Sequence, residues 1–482
     1  MKNRIKQYLL AASMCVGLTA CSDFFEPIPG VQFGLDETFA SKQRTEEYLN
    51  NVYSYVREVT DAIHPNTYGG IFTEASLDGA NRWNKTYAEW TNGSFNSASA
   101  QASEYFSKYY QAIAKASTFI QNVDKCTEAA ASTRGKWKSE ARALRAYYYF
   151  ELLRLYGPIP LIGEDPIPLD ASLEELIKER NSVDECVNFI ATELQSAIDS
   201  GDLLQRAGKA NLGRMDVATC MALKAKLYLY WASPLFNGNT DQASVKNKDG
   251  KQLFPQTEDN SKWAQARDAY ERFMTFATGQ GYKLTEVYTN GKLDPYASCR
   301  AAGEFFTTTW EAVDELIFVK LRDLYDYTYW VCPKFTDFQD TDVTGGGGYY
   351  TTQETVDLFF TKDGLTIEED PGYDKFEGIP SANNFTSGRY YDPNNPSRLY
   401  FDADKSKVLK QWKDREPRFY VNITYSGSIW LNEGKYNEEM RTDFTNGANG
   451  TCGKSKASGD CPDSGYLIRR GAKASNNNGS KH

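Results

Sequence analysis

Histidine is scarce in this sequence: His64 and His482 are the two present in 482 residues. A Ser-His-Asp triad or a Cys-His pair would therefore have to use His64, which precedes Pro65 with no nucleophile motif beside it. Zinc-type His spacing is missing and no C-x-x-C occurs, so neither a metal centre nor a cofactor is expected. The tetraglycine Gly345–Gly348 is not followed by the Lys-Ser/Thr of a phosphate loop, which leaves it as a hinge or surface loop. Beyond the N-terminal twenty residues no segment reaches eighteen apolar residues, too little for a spanning helix. Positive charge is also short: 54 Lys+Arg against 64 Asp+Glu give a net charge of −10, and no basic patch exists to neutralise phosphates, so nucleic acid is not an expected partner. One hydrolytic class survives these absences, because a glycosidase needs two carboxylates and little else.

Aromatic residues are plentiful by contrast, at 14% of the chain and led by 32 Tyr. A hydrophobic share of 41% with 24% charged residues describes a globular protein with ample core material, and the length allows two or three domains. The most ordered stretch runs from Arg134 to Ile162. Trp137, Ala141, Leu144, Tyr148, Leu152 and Leu155 follow helical spacing, which predicts a helix of about five turns over 134–156. Ser132 or Thr133 is placed to cap it, and Gly157-Pro158 to stop it. Four consecutive aromatics, Tyr147 to Phe150, surround the axis, so this helix should be buried on more than one side, with Ala141, Ala143 and Ala146 allowing close neighbours.

The first twenty residues read as a secretory signal: Lys2, Arg4 and Lys6, then an apolar run from Tyr8 to Ala20. Leu18-Thr19-Ala20-Cys21 resembles a bacterial lipobox, in which Cys21 is acylated and becomes the mature N-terminus. Multiple acyl chains hold a protein on a membrane without a spanning helix. Cys126, Cys186 and Cys220 fall in helical patterns as small buried hydrophobes, whereas Cys452 and Cys461 lie in a Gly/Ser/Lys-rich loop where an oxidising compartment would let them pair.

Helical periodicity recurs over 36–60 (with Asp36 as cap), 102–125, 182–199, 214–232 and 262–277. Together with 134–156 these helices pair in order as 36–60 with 102–125, 134–156 with 182–199, and 214–232 with 262–277. The expectation is a mainly α, tetratricopeptide-like helical repeat with long irregular insertions. From about 280 the texture changes to Gly, Asn, Asp and Tyr with short strand-like runs such as Glu315–Lys320.

Glu140–Leu161, EARALRAYYYFELLRLYGPIPL, resembles the signature helix of the SusD/RagB family, the surface glycan-binding lipoproteins of Bacteroidetes. Thr352–Ile367 (TQETVDLFFTKDGLTI) and Asp414–Val421 (DREPRFYV) are similar to landmarks of that family's C-terminal half. The resemblance implies a signal peptide over 1–20, an acylated tether over 21–35, a helical-repeat region over 36–280 and a C-terminal region over 281–482. It implies a cell-surface, outer-membrane protein that captures oligosaccharide and passes it to a SusC-like TonB-dependent transporter, with a surface-anchored glycoside hydrolase as the alternative. Family members continue past a segment like Gly465-Tyr466-Leu-Ile-Arg469-Arg470 into a last helix pair, whereas this sequence stops at His482. Read as incomplete, it should be less stable than a longer member; a melt equally high and cooperative would refute that expectation.

Sugar binding asks for a flat ring against the C–H face of a pyranose and polar side chains around its hydroxyl rim. Two loops offer this. The first carries Asp78, Asn81, Arg82, Trp83 and Trp90; the second, within 323–350, carries Tyr327, Tyr329 and Trp330. The resemblance agrees, since the family builds its glycan platform from aromatics on insertion loops.

Overall fold

The computed structural model describes residues 33–56, 79–81, 93–164, 167, 171–304, 314–320, 331–333, 347–375, 378–430, 462 and 464–469. Its first half is a succession of helices: α1 (Leu35–Ala40), α2 (Lys42–Tyr53), α3 (Ala100–Asn122), α4 (Ala131–Tyr156), α5 (Val183–Asp199), α6 (Val217–Ala232) and α7 (Ser261–Gly279). From α3 onward each packs against the next, and α2 lies on both α3 and α4. The expected partners α4/α5 and α6/α7 are found. The expected partners α2/α3 make a lighter contact than α3/α4, so the repeat is a continuous stack rather than three separate pairs. Among the described residues no helix is long and apolar enough to cross a membrane.

The aromatic run on α4 explains why the stack forms around this helix. Successive residues turn by about 100°, so four adjacent rings reach four different neighbours. Tyr147 meets Phe318 edge-on at 6.0 Å, and the Tyr148 hydroxyl donates to the Val52 carbonyl of α2. Tyr149 packs on Phe189 of α5 at 5.1 Å, and Phe150 meets Tyr230 of α6 at 5.6 Å. Trp137, Ala141, Leu144, Tyr148 and Leu152 are buried as the spacing predicts. Burial on every side also encloses charges that the apolar pattern does not reveal. Arg145 is fully buried and bonds Glu193 of α5 at 2.7 Å and Ser117 of α3 at 3.0 Å. Glu140 accepts from the Tyr53 hydroxyl at 2.9 Å and pairs with Arg214 at 3.2 Å. Burial pushes its carboxyl above the usual range while Arg214 and Tyr53 oppose that shift.

Several boundaries differ from expectation for identifiable reasons. The helix expected over 36–60 breaks at Ser41, whose backbone is extended, and α2 ends at Tyr53. Gly34 takes the cap position of α1, which puts Asp36 inside the first turn, where its carboxylate pairs with Lys125 at 2.8 Å. α4 starts at Ala131, which puts Ser132 and Thr133 inside its first turn, and its N-cap Ala130 has no capping side chain. The stop at Gly157 holds: φ is +68°, and a Cβ there would stand 3.0 Å from the Phe254 ring. α5 and α6 have the caps that α4 lacks, Ser182 with Glu185 in a reciprocal capping box and Asp216 on the Thr219 N–H at 2.7 Å. The run 315–320 forms no strand. It lies against the helices instead, with the Ile317 carbonyl taken by the Thr219 hydroxyl and Lys320 donating to the Val56 carbonyl at 2.6 Å.

The second half is built around an aromatic cluster rather than helices. Helix α8 (Pro295–Glu304), the hairpin β3 (Arg389–Asp392) and β4 (Asn395–Asp402), and helix α9 (Pro417–Asn422) gather Tyr400, Phe401, Trp412, Phe419, Tyr420 and Tyr425 into one core. The rings of Tyr400 and Tyr420 stack with centroids 3.9 Å apart. Part of the tyrosine surplus is therefore core, where the Tyr420 hydroxyl donates to the Trp412 carbonyl. Cys126, Cys186 and Cys220 are buried free thiols as expected.

Candidate functional site

A small antiparallel sheet joins distant parts of the chain. Its strands are β1 (Ala80–Asn81), β2 (Tyr349–Tyr350), β5 (Ile423–Thr424) and β6 (Leu467–Ile468), in the spatial order β1-β2-β6-β5. Ala80 pairs with Tyr350 and Asn81 with Tyr349, while Tyr350 pairs with Leu467 on the other side. Two residues before β2, the Gly347 N–H donates to the Cys332 carbonyl at 2.9 Å. The backbone of residues 79–81 and that of residues 331–333 thus converge on one short strand.

Glycine and close packing fix this convergence. A Cβ on Gly79 would lie 2.9 Å from the Tyr349 hydroxyl and 3.1 Å from the Ile468 side chain, so a larger residue there would have to displace the tips of those two side chains. Gly347 and Gly348 are buried, and Gly347 has φ of +58°. The hinge or surface-loop reading of Gly345–Gly348 is therefore corrected for its second half, which enters the sheet; Gly345 and Gly346 lie outside the described residues. Below the sheet, Arg469 is buried and donates to Thr424 Oγ1 at 2.9 Å, Ser428 Oγ at 2.9 Å and the Tyr420 carbonyl at 3.2 Å. The Gly-Tyr-Leu-Ile-Arg segment is consequently a structural strap rather than a surface element.

Of the sequence-derived sugar-binding residues, Asn81 is a backbone member of β1. Asp78, Arg82, Trp83, Trp90, Tyr327, Tyr329 and Trp330 lie outside the described residues, as do Cys21, Cys452 and Cys461. The described chain reaches Gly79 and Asn81 on either side of the first loop's start and resumes at Val331, directly after Trp330. The pairing of β1 with β2 was not legible in the sequence, since two-residue strands carry no alternation to read.

Chemistry in the described region is limited. No group of three or more His, Cys, Asp or Glu that could hold a metal ion occurs among the described residues. Cys332, beside the sheet, is pushed up to about 12 by burial and stays a thiol near neutrality. A polar cavity of about 280 Å³ lies beyond the aromatic core, between residues 361–374 and 410–414. Behind its lining residue Tyr373, buried Arg415 donates to the Tyr373 hydroxyl at 2.8 Å and to the Val356 and Phe359 carbonyls, both at 2.7 Å.

Residues 32–229 match a family model described as starch-binding associating with outer membrane, and residues 315–482 match the SusD family model. A SusD-like protein of Bacteroides ovatus is 27% identical over 175 residues, which cover 35% of this chain and 30% of that protein. Among solved structures, BT4246 superposes with a TM-score of 0.71 at 23% identity, over 89% of this chain and 72% of the other. A SusD-like protein of Bacteroides fragilis gives 0.62 at 20% identity, over 91% and 71% respectively. At these identities the superpositions establish the fold: mainly helical, with a few short strands.

Proposed function

Because the chain belongs to the SusD/RagB family, we propose that it is a cell-surface glycan-binding lipoprotein, anchored in the outer membrane through Cys21, that captures oligosaccharide and delivers it to a SusC-like TonB-dependent transporter. The observation supporting this reading is the pairing of Asn81 with Tyr349 near the Gly347–Cys332 bond, which brings backbone next to each of the two aromatic stretches together. Asp78, Asn81, Arg82, Trp83 and Trp90 would come from one loop and Tyr327, Tyr329 and Trp330 from the other. Rings supply platforms for the apolar sugar faces, and the amide, carboxylate and guanidinium groups meet the hydroxyl rim. Weak contacts at several points suit a capture surface, because the ligand must leave again toward the transporter. No bond-breaking step is required.

Trp83→Ala should weaken binding of a retained oligosaccharide by about 0.5–1.5 kcal/mol, roughly two- to tenfold in Kd, and leave the melting temperature nearly unchanged. Isothermal titration calorimetry checks this; unchanged affinity removes Trp83 from the site. New reducing ends appearing in the same mixture would favour the glycoside hydrolase instead.

A further inference from the structure

Asn-Gly pairs begin at Asn92, Asn237, Asn290, Asn446, Asn449 and Asn478. The pair has a chemistry of its own. The Gly nitrogen, unhindered by a side chain, attacks the Asn side-chain carbonyl carbon and expels ammonia, closing a succinimide ring that water reopens to aspartate or isoaspartate. Asn237-Gly238 and Asn290-Gly291 lie wholly among the described residues, and the fold treats them oppositely.

Asn237 is 4% exposed. Its amide donates to the Asp259 carbonyl at 3.0 Å and accepts from the Asp259 N–H at 2.9 Å, and a Cβ on Gly238 would lie 2.7 Å from the Glu258 nitrogen, so neither group has room to rotate into attack. Asn290-Gly291 is the tip of a hairpin with strands Tyr288–Thr289 and Lys292–Leu293, in which Thr289 pairs with Lys292. Asn290 has φ of +53° and Gly291 of +77°, the two left-handed residues that a two-residue hairpin turn requires. Both are exposed, a Cβ on Gly291 would meet nothing within 4 Å, and among the described residues no hydrogen bond holds the Asn290 amide.

The closed turn does not align the reacting atoms, so the tip must open first. Little resists that. Two residues per strand make a ladder that is marginal alone, and the side chains of Tyr288 and Leu293 are 60% and 46% exposed, leaving the tip with little packing against local unfolding. The base of the hairpin is fastened separately. The Asp294 N–H donates to the Val287 carbonyl at 2.8 Å, and its two carboxylate oxygens take Arg398, each at 3.0 Å.

We propose that Asn290 is a site of spontaneous deamidation, taking up one water and releasing one ammonia, and that the isoaspartate product opens this hairpin irreversibly. Isoaspartate carries the chain through its side-chain carbonyl, adding a main-chain carbon that the two-residue turn has no place for. The site is independent of the glycan reading.

The test holds the purified protein for days in mildly alkaline buffer at body temperature and follows tryptic peptides by mass spectrometry. The peptide Leu284–Lys292 should exchange amide for acid about tenfold faster, or more, than the peptide carrying Asn237. In urea the two rates should converge, because the difference lies in the fold and not in the dipeptide. Gly291→Val shields the attacking nitrogen and should suppress conversion at Asn290. Limited trypsin should cut after Lys292 several-fold faster in aged than in fresh protein. Fresh Asn290→Asp has the new charge without the extra carbon and should be cut like fresh wild type. Equal rates for the two peptides in the folded protein, or conversion persisting in Gly291→Val, overturns the site; unchanged cleavage at Lys292 after ageing overturns the opening.

Discussion

Replacing Arg145 with alanine should cost about 3–5 kcal/mol, because it leaves a buried carboxylate without its main partner. Arg145 and Glu193 are both buried, joined by Nε to Oε2 at 2.7 Å, with Ser117 Oγ accepting from the same guanidinium at 3.0 Å. Arg142 also reaches Glu193 at 3.2 Å but is more exposed, so it compensates only part of the loss. The effect should appear in urea denaturation as a lower midpoint at unchanged slope. The double variant Arg145→Met/Glu193→Leu removes both charges and fills similar volume, and should be markedly more stable than Arg145→Ala. If the two variants lose equal stability, the loss comes from packing of the arginine stem and the electrostatic account of α4 is wrong.

Arg415→Ala should produce a loss of similar size in the second half of the molecule. Among the described residues this guanidinium forms no ion pair with a carboxylate; it is held by backbone carbonyls of Val356, Phe359 and Gln411 and by the Tyr373 hydroxyl. Truncation removes the donor from several buried acceptors at once, and each orphaned group costs about 1–3 kcal/mol. Water entering the new cavity would recover part of that, so a net loss of about 3–5 kcal/mol is expected. Lysine cannot replace the planar fork and should recover little. Chemical denaturation checks both variants, and a loss below about 1 kcal/mol for Arg415→Ala would mean that those carbonyls find other donors.

The helical half of the fold was readable because its apolar residues repeat at helical spacing over several turns, most plainly from Trp137 to Leu152. Buried Glu140, Arg145 and Glu151 were not, since the polar positions of an amphipathic pattern look alike whether solvated or paired across a packed interface. Helix starts were misplaced where the helix begins a residue or two before the expected cap, which puts Asp36, Ser132 and Thr133 inside first turns. The run Glu315–Lys320 has the composition of a strand but lies against the helices, with the Ile317 carbonyl taken by Thr219 of α6 and the Lys320 ammonium by the Val56 carbonyl just beyond α2. Near the candidate site the sequence offers residue types suited to sugar, and the structure adds a long-range contact that no local pattern contains: Gly79 beside Tyr349, and Asn81 paired with it.

We propose that the two aromatic loops form a single surface that grips carbohydrate without cutting it. A crystal structure of the protein with a saccharide it demonstrably retains tests this most directly. The expected result is an intact oligosaccharide stacked on at least one ring from residues 83–90 and one from residues 327–330, above the β1/β2 edge. A saccharide found cleaved, or bound away from both loops, would contradict it.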